Sequence, residues 1–310
     1  MKGMWSKLAS VVMLFTALAI PNVMAQSDSC QLTASDVLTS CQNATQSDYQ
    51  LALANCENVS KPGPQKNCRQ AASAALTAAQ QTCTDQYNAR VTACQRFGPA
   101  PYDPVIKPSN FVSGVNNPYF PLPPGTTYVY EGQTVDGFEH DEFAVTHNTR
   151  TILGITCVEV HDTVLTDGVL TEDTLDWFAQ DKDGNVWYFG ENTHELEDGL
   201  ITTIDGTFMA GLDSAKPGIV MKAHPAIGDF YRQEFALANA EDYAETLSLT
   251  ETVTVGNPPH TYTNCLKSQE TTPLETDLLE FKYYAPGVGN ILTVDGHTGD
   301  RVELVEIRTN

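Results

Sequence analysis

The residues in this chain best suited to chemistry are scattered rather than gathered into a motif. "DKDGN" at 181–185 has the oxygen-rich letters of a calcium loop, but that loop needs Gly at its sixth position and a bidentate Glu at its twelfth. Here Gly184 is fourth and the twelfth residue is Asn192. The same letters suit a tight hairpin turn between two strands. "HELED" at 194–198 lacks the second histidine of a zinc-protease helix and reads as a solvated loop. His161-Asp162 has the residue types of an oriented general base. No serine sits in a GxSxG setting for it to activate, and a surface pair on a strand is the plainer reading. His140 and His147, seven apart in a strand-like stretch, face opposite sides and are poor co-ligands. There is no phosphate-binding glycine loop and no CxxC, so the sequence implies no cofactor and no metal.

The cysteines, in contrast, are organised. "CENVSKPGPQKNC" sets Cys56 and Cys68 either side of a Pro-Gly-Pro turn, and Cys41 with Cys83 and Cys30 with Cys94 are reflected about the same point, residue 62. The flanking segments are rich in Ala, Leu, Gln and Asp, nearly free of Gly and Pro, and favour helix. On a helix, each set of three cysteines falls within about 80° of arc. Spacings of 11 and 15 residues outward and 15 and 11 back place each pair at one height of an antiparallel hairpin. Small residues at Ala71, Ala74, Ala75 and Ala78 allow the close approach a disulfide requires. The prediction is three nested bridges: Cys30–Cys94, Cys41–Cys83 and Cys56–Cys68. The arrangement is similar to mitochondrial twin-cysteine helical hairpins, which have nine residues between paired cysteines and two bridges, against ten and fourteen here. No function is carried over from them.

Compartment and charge follow. Residues 1–25 place Lys2 and Lys7 before an apolar run from Leu8 to Ile20, then Pro21 and a Val23-Met24-Ala25 ending. That is the form of a cleaved signal peptide, since the run of about 13 residues is short of the roughly 20 that span a membrane. Gln26, not cysteine, would come first, which argues against lipid anchoring. The expectation is a secreted or periplasmic protein, not inserted in a membrane, whose eight cysteines favour disulfides. The chain carries 17 basic and 39 acidic residues; losing Lys2 and Lys7 leaves 15 basic residues and a formal charge of −24. Such a chain is repelled by nucleic acid and by anionic membranes. The acids read as a solvated, soluble surface.

The expected fold class is α+β: the disulfide-stapled hairpin at 26–96, a Pro-rich linker at 97–110, and a mainly antiparallel β domain at 111–310. "TTYVYEG", "FEHDEFAVTH", "TCVEVHDTV", "LTEDTLDWFAQ", "NVWYFGE", "DFYRQEFAL", "TLSLTETVTV", "LLEFKYYA" and "RVELVEI" read as strands. Residues 149–190 can be laid over 252–296, matching Cys157 with Cys265, Trp177-Phe178-Ala179 with Tyr283-Tyr284-Ala285, and Gly184-Asn185 with Gly289-Asn290. Two related meanders would close on one another into a barrel or curved sandwich. A fourth disulfide, Cys157–Cys265, is then expected across the halves.

"NPYFPLPPGTTYVYEG", "DWFAQDKDGNVWYFGE", "AKPGIVMKAHPAIGDFYRQEF" and "KYYAPGVGNI" resemble an uncharacterised family of secreted bacterial proteins. The last is similar to a strand and turn of outer-membrane-associated carrier half-barrels. The resemblance covers most of 111–310 and none of the hairpin. It implies export and a β fold, and supplies no catalytic residues.

The function expected is a non-enzymatic binding or interaction module whose partner is a small apolar or amphipathic ligand or another protein. The alternative is a hydrolase or isomerase using His and carboxylate groups in the same cavity. The segment 206–228, long and apolar, and the proline-held Tyr119 and Phe120 are expected to cover the mouth of a hollow barrel. Trp177, Trp187, Met221, Tyr231 and Tyr283 would supply the apolar lining, with His224 and Arg232 the polar groups. Arg232 would meet a ligand carboxylate through its fork of N–H groups.

Overall fold

The computed structural model describes residues 28–309; the signal peptide read at 1–25 lies outside the described residues. Two helices come first, α1 (Ser29–Glu57) and α2 (Pro62–Phe97). Asp28 caps α1 by accepting the Gln31 N–H at 2.9 Å. Helix α2 starts within the Pro-Gly-Pro turn itself, because Pro62 and Pro64 occupy a first turn whose N–H groups have no helical acceptor. All three nested bridges are present: Cys30–Cys94, Cys41–Cys83 and Cys56–Cys68, with Cα separations of 5.6, 5.8 and 5.6 Å. Three such bridges belong to a chain that matures in an oxidising compartment outside the cytosol. Among the described residues, no helix is long and apolar enough to cross a membrane.

A 3₁₀ turn at Pro108–Asn110 leads into the β domain. Strands β1 (Val115–Asn117) and β2 (Phe120–Leu122) form a small hairpin of their own. Then come β3 (Thr126–Gln133), β4 (Phe138–Ile152), β5 (Ile155–Thr166), β6 (Val169–Gln180) and β7 (Val186–Glu197), a five-stranded meander. The short β8 (Leu200–Thr203) and β9 (Phe208–Met209) pair with β7, and β10 (Lys216–Met221) continues the wall. After β11 (Phe230–Arg232) and β12 (Glu234–Phe235), a second five-stranded meander follows: β13 (Tyr243–Val255), β14 (His260–Thr271), β15 (Glu280–Ala285), β16 (Gly289–Asp295) and β17 (Arg301–Thr309).

The two meanders join through β17 and β3. At the other side the gap is bridged by one segment: its first half, β11, pairs with β13, and its second half, β12, pairs with β10. The sheet is thereby nearly closed into a barrel. At the closing point a Cβ on Gly218 would lie 2.2 Å from Gln233 O, so only glycine allows the two backbones to approach.

The segments aligned in the sequence run through β4–β7 and β13–β16. Each carries a register shift at the matched position, between Trp177 and Phe178 in one and between Tyr283 and Tyr284 in the other. Phe178 and Tyr284 both pack on Phe120, at centroid distances of 5.3 and 6.5 Å.

Cys157 and Cys265 correct an expectation: both are buried free thiols, not a fourth bridge. Val158 pairs with Phe178 and Leu266 with Tyr284, so the preceding cysteines point to the opposite face of the sheet from those rings. Cys157 packs with Ile152, Ile155, Trp177 and Phe189 in a cluster separate from the main core that holds Cys265. Matched positions that face outward on opposite walls cannot meet.

The segment 206–228 is also corrected. It contains wall strand β10 rather than a lid, and Ile219 pairs with Trp187 of β7. Residues 194–197 of "HELED" are likewise the end of β7, with only Asp198 in the turn that follows.

The linker lies along the barrel: the Tyr102 hydroxyl donates to Pro217 O at 2.8 Å, and Ile106 and Phe111 pack on the outer cluster. The hairpin is moored by a buried ion pair in which Arg90 grips Glu241 at 2.6–3.2 Å. Arg96 adds a bidentate pair with Glu245 at 2.9 Å.

Candidate functional site

The barrel encloses a cavity of about 610 Å³. It runs from a floor at Phe120–Leu122 to the end where the turns at 134–137 and 296–300 meet, Val135 N–H donating to Asp300 Oδ2 at 2.9 Å. Period-two alternation decides what enters it. Strand β4 presents Glu139, Asp141 and Phe143; β6 presents Glu172, Thr174, Asp176 and Phe178; β15 presents Glu280, Lys282 and Tyr284. On each strand the carboxylates stand toward the turn end and the ring toward the floor. The result is layered. Phe120, Phe143, Phe178 and Tyr284 form an aromatic base, with Tyr188 stacked on Phe178 at 4.6 Å. Above it stands an acidic wall. Thirteen Asp and Glu residues line the cavity, against one base, Lys282, and no histidine.

Enclosure sets the protonation of this wall. Burial pushes Asp141 well above the usual carboxylate range, and neighbouring Asp162 pushes it further. Asp162 is itself raised by burial, and one oxygen of each is buried without a hydrogen-bond partner. Asp176 is raised well above its ordinary value by burial and accepts the Tyr188 hydroxyl. Glu191, 3.1 Å from the same hydroxyl, is raised by burial to about 7, and Asp242 by burial to about 6. Glu234 is raised well above its range by burial and then by Asp242. Glu270 is the neutralised acid. It accepts Ser268 Oγ at 3.0 Å and the Tyr284 hydroxyl at 3.1 Å, and pairs with Lys282 Nζ at 3.0 Å. The attraction of Glu270 and Glu280 outweighs burial and holds the Lys282 ammonium well above its ordinary pKa. Among the described residues, no three His, Cys, Asp or Glu side chains converge as a metal site. The wall carboxylates are spread along the cavity rather than converged on one point.

No family model matches the chain, and no curated protein matches it in sequence. Among solved structures it is similar to a protein described as a "putative lipoprotein" from Parabacteroides distasonis, at 14% identity and a TM-score of 0.33, covering 61% of this chain and 98% of that one.

Of the side chains proposed from the sequence, Phe120 lines the cavity. Tyr119 is half-buried beside it, its N–H donating to Asn117 Oδ1. Trp177 and Trp187 belong to the outer cluster, where their indole N–H groups donate to Glu159 at 3.2 Å and Asp181 at 2.8 Å. Met221 is fully buried in the main core without reaching the cavity. His224 is an exposed turn residue. Tyr231 is buried beneath Lys222, 5.3 Å away, and Tyr283 lies beside Lys267 Nζ at 5.3 Å. Arg232 faces the helical hairpin. The structure therefore does not bring these nine together.

His161 and Asp162 also part company: His161 bonds Asp173 at 2.6 Å while Asp162 lines the cavity. Asp181 of "DKDGN" spends both oxygens on the hairpin turn, accepting the Gly184 and Asn185 N–H groups and the Asn185 and Trp187 side chains. The acids that do line the cavity carried a sequence signal. In "EHDEF" and "EDTLDWF" the carboxylates alternate in phase with a ring that must be buried, and so share its face.

Proposed function

We propose that this chain is an exported, non-enzymatic binding protein whose barrel holds an amphipathic organic cation, its apolar body on the aromatic floor and its ammonium among the wall carboxylates. Glu234 carries this reading. Its side chain is 9% exposed and lines the cavity, yet its carboxylate makes no hydrogen bond or ion pair among the described residues. Ionising an enclosed carboxylate that has no partner is costly, and a bound cation would offset that cost. An ammonium gains from the rings below as well as from the acids. A catalytic alternative would have to work with carboxylates and tyrosines, since no histidine lines the cavity.

Calorimetric titration tests the proposal with phenethylamine and its neutral isostere, phenethyl alcohol. The amine should bind saturably and at least about tenfold more tightly than the alcohol, a difference of about 1.4 kcal/mol. Because a cation favours ionised carboxylates, its affinity should rise with pH through the range set by Asp242 at about 6 and Glu191 at about 7. Glu234→Gln should weaken the amine and leave the alcohol unchanged. Equal binding of both probes, or an unaltered amine affinity in Glu234→Gln, would overturn the proposal.

A further inference from the structure

A second cavity, of about 270 Å³, lies at the seam between the hairpin and the barrel. Its chemistry is opposite to that of the barrel. Arg232 enters it from β11, with its guanidinium carbon 4.1 Å from the ring centre of Phe97, 5.0 Å from Phe235, 5.2 Å from Tyr243 and 5.5 Å from Tyr102. In a chain with 39 acids and 17 bases, this cation pairs with no carboxylate among the described residues. Its guanidinium makes a weak contact with Cys30 Sγ at 3.8 Å. The nearby acid Glu241 is engaged by Arg90, and Lys216 is held by Tyr102 O at 2.6 Å and Asp103 at 2.9 Å.

We propose that this seam is a binding site for a small monocarboxylate with an aromatic or short aliphatic body. A guanidinium carries five N–H donors in a rigid plane. The rings around it offer no carboxylate, and a ligand carboxylate can meet the edge of the guanidinium with two parallel bonds. The rest of the wall is mixed: Ala34, Leu237 and the Cys30–Cys94 bridge give it apolar surface, and Ser29, Thr33 and Ser214 add hydroxyls. The volume, near the lower limit of small-molecule sites, restricts the occupant to something of the size of benzoate or hexanoate.

The test titrates the full chain with benzoate and with neutral benzamide. Benzoate should bind saturably and benzamide at least about tenfold more weakly. Arg232→Lys, which keeps the charge and loses the fork, should weaken benzoate by about tenfold. Its melting temperature, compared with wild type, shows whether it remains folded. Wild type gives an independent measure: bound benzoate should slow reduction of Cys30–Cys94 by a water-soluble thiol and leave the rate at Cys41–Cys83 unchanged. Absence of saturable benzoate binding, equal binding of benzamide, or unchanged reduction of Cys30–Cys94 would make Arg232 a structural clamp only and overturn the proposal.

Discussion

The helical hairpin and the barrel solve the same problem with different means. Between them, α1 and α2 bury Ala34, Val37, Ala72 and Ala93, the cysteines 56, 83 and 94, and Arg90. That is far too little apolar area to offset the ordering of 65 helical residues, and covalent bridges make up the difference. The barrel buries two hydrophobic clusters and a continuous hydrogen-bonded sheet, and among the described residues it has no disulfide. Its interior nonetheless carries an acid-lined cavity. The difference teaches where tolerance lies: the hairpin's surface can vary provided its bridges remain, whereas the barrel depends on which face each side chain occupies.

Reduction should separate the two most strongly. Each bridge contributes about 2–4 kcal/mol, and opening all three should melt the hairpin's helical circular dichroism while the barrel's near-ultraviolet tryptophan signal persists. Simultaneous loss of both signals would mean that the barrel also depends on the bridges.

The mooring between the regions comes next. Arg90 and Glu241 are 4% and 1% exposed, and removing one partner of a buried pair costs about 3–5 kcal/mol. Arg90→Ala should lower the melting temperature and raise proteolysis in the 97–110 linker. The hairpin should stay helical because its bridges are intact. Beyond Gln86, whose amide donates to Leu274 O at 2.9 Å, the hairpin runs on for roughly 36 Å at 1.5 Å per residue. That outer part should not respond to the substitution.

Acidity gives a smaller effect, specific to the barrel. Wall carboxylates whose folded-state pKa is raised are stabilising while protonated. Their contribution is complete below the unfolded carboxylate range near 4 and is lost as pH rises through about 6 for Asp242 and about 7 for Glu191. The barrel should therefore melt a few degrees higher at pH 5 than at pH 8, with the hairpin's helical signal little changed. A barrel equally stable at both values would show that water entering the cavity already solvates these acids.

The hairpin was legible in the sequence because its information is covalent and mirror-symmetric: the cysteine spacings alone specify heights and partners. The barrel was legible as strands but not as faces. Strand β14, "HTYTNCLKSQET", escaped notice because its alternation is written in Thr, Ser, Asn and Lys rather than in large apolar side chains. The cavity acids read as part of a solvated surface, whereas Asp141, Asp162, Asp176 and Glu234 are enclosed by the barrel and held above their ordinary range by burial. Trp177 and Trp187 read as lining because they are large and aromatic, yet the barrel's outer face is also packed, against Ile106 and Phe111 of the linker. Size marks a side chain as buried; only its phase relative to neighbours across the sheet says on which side.

The smallest effect tests the contrast most directly. Cys157→Ala and Cys265→Ala each remove one sulfur-sized group from a packed site and should cost about 1 kcal/mol. Replacing Cys41 and Cys83 together in the hairpin should cost about 2–4 kcal/mol for a lost bridge. Burial raises the Cys157 thiol to about 12 and the Cys265 thiol above its ordinary value, and reaction requires the thiolate. Both should therefore resist alkylation in the folded protein. In denaturant without reductant two thiols per chain should titrate, one in either single variant and none in the double. If wild type gives none, and Cys157→Ala costs as much as the loss of a hairpin bridge, then the barrel too is stapled and the division between a covalent region and a packed one fails.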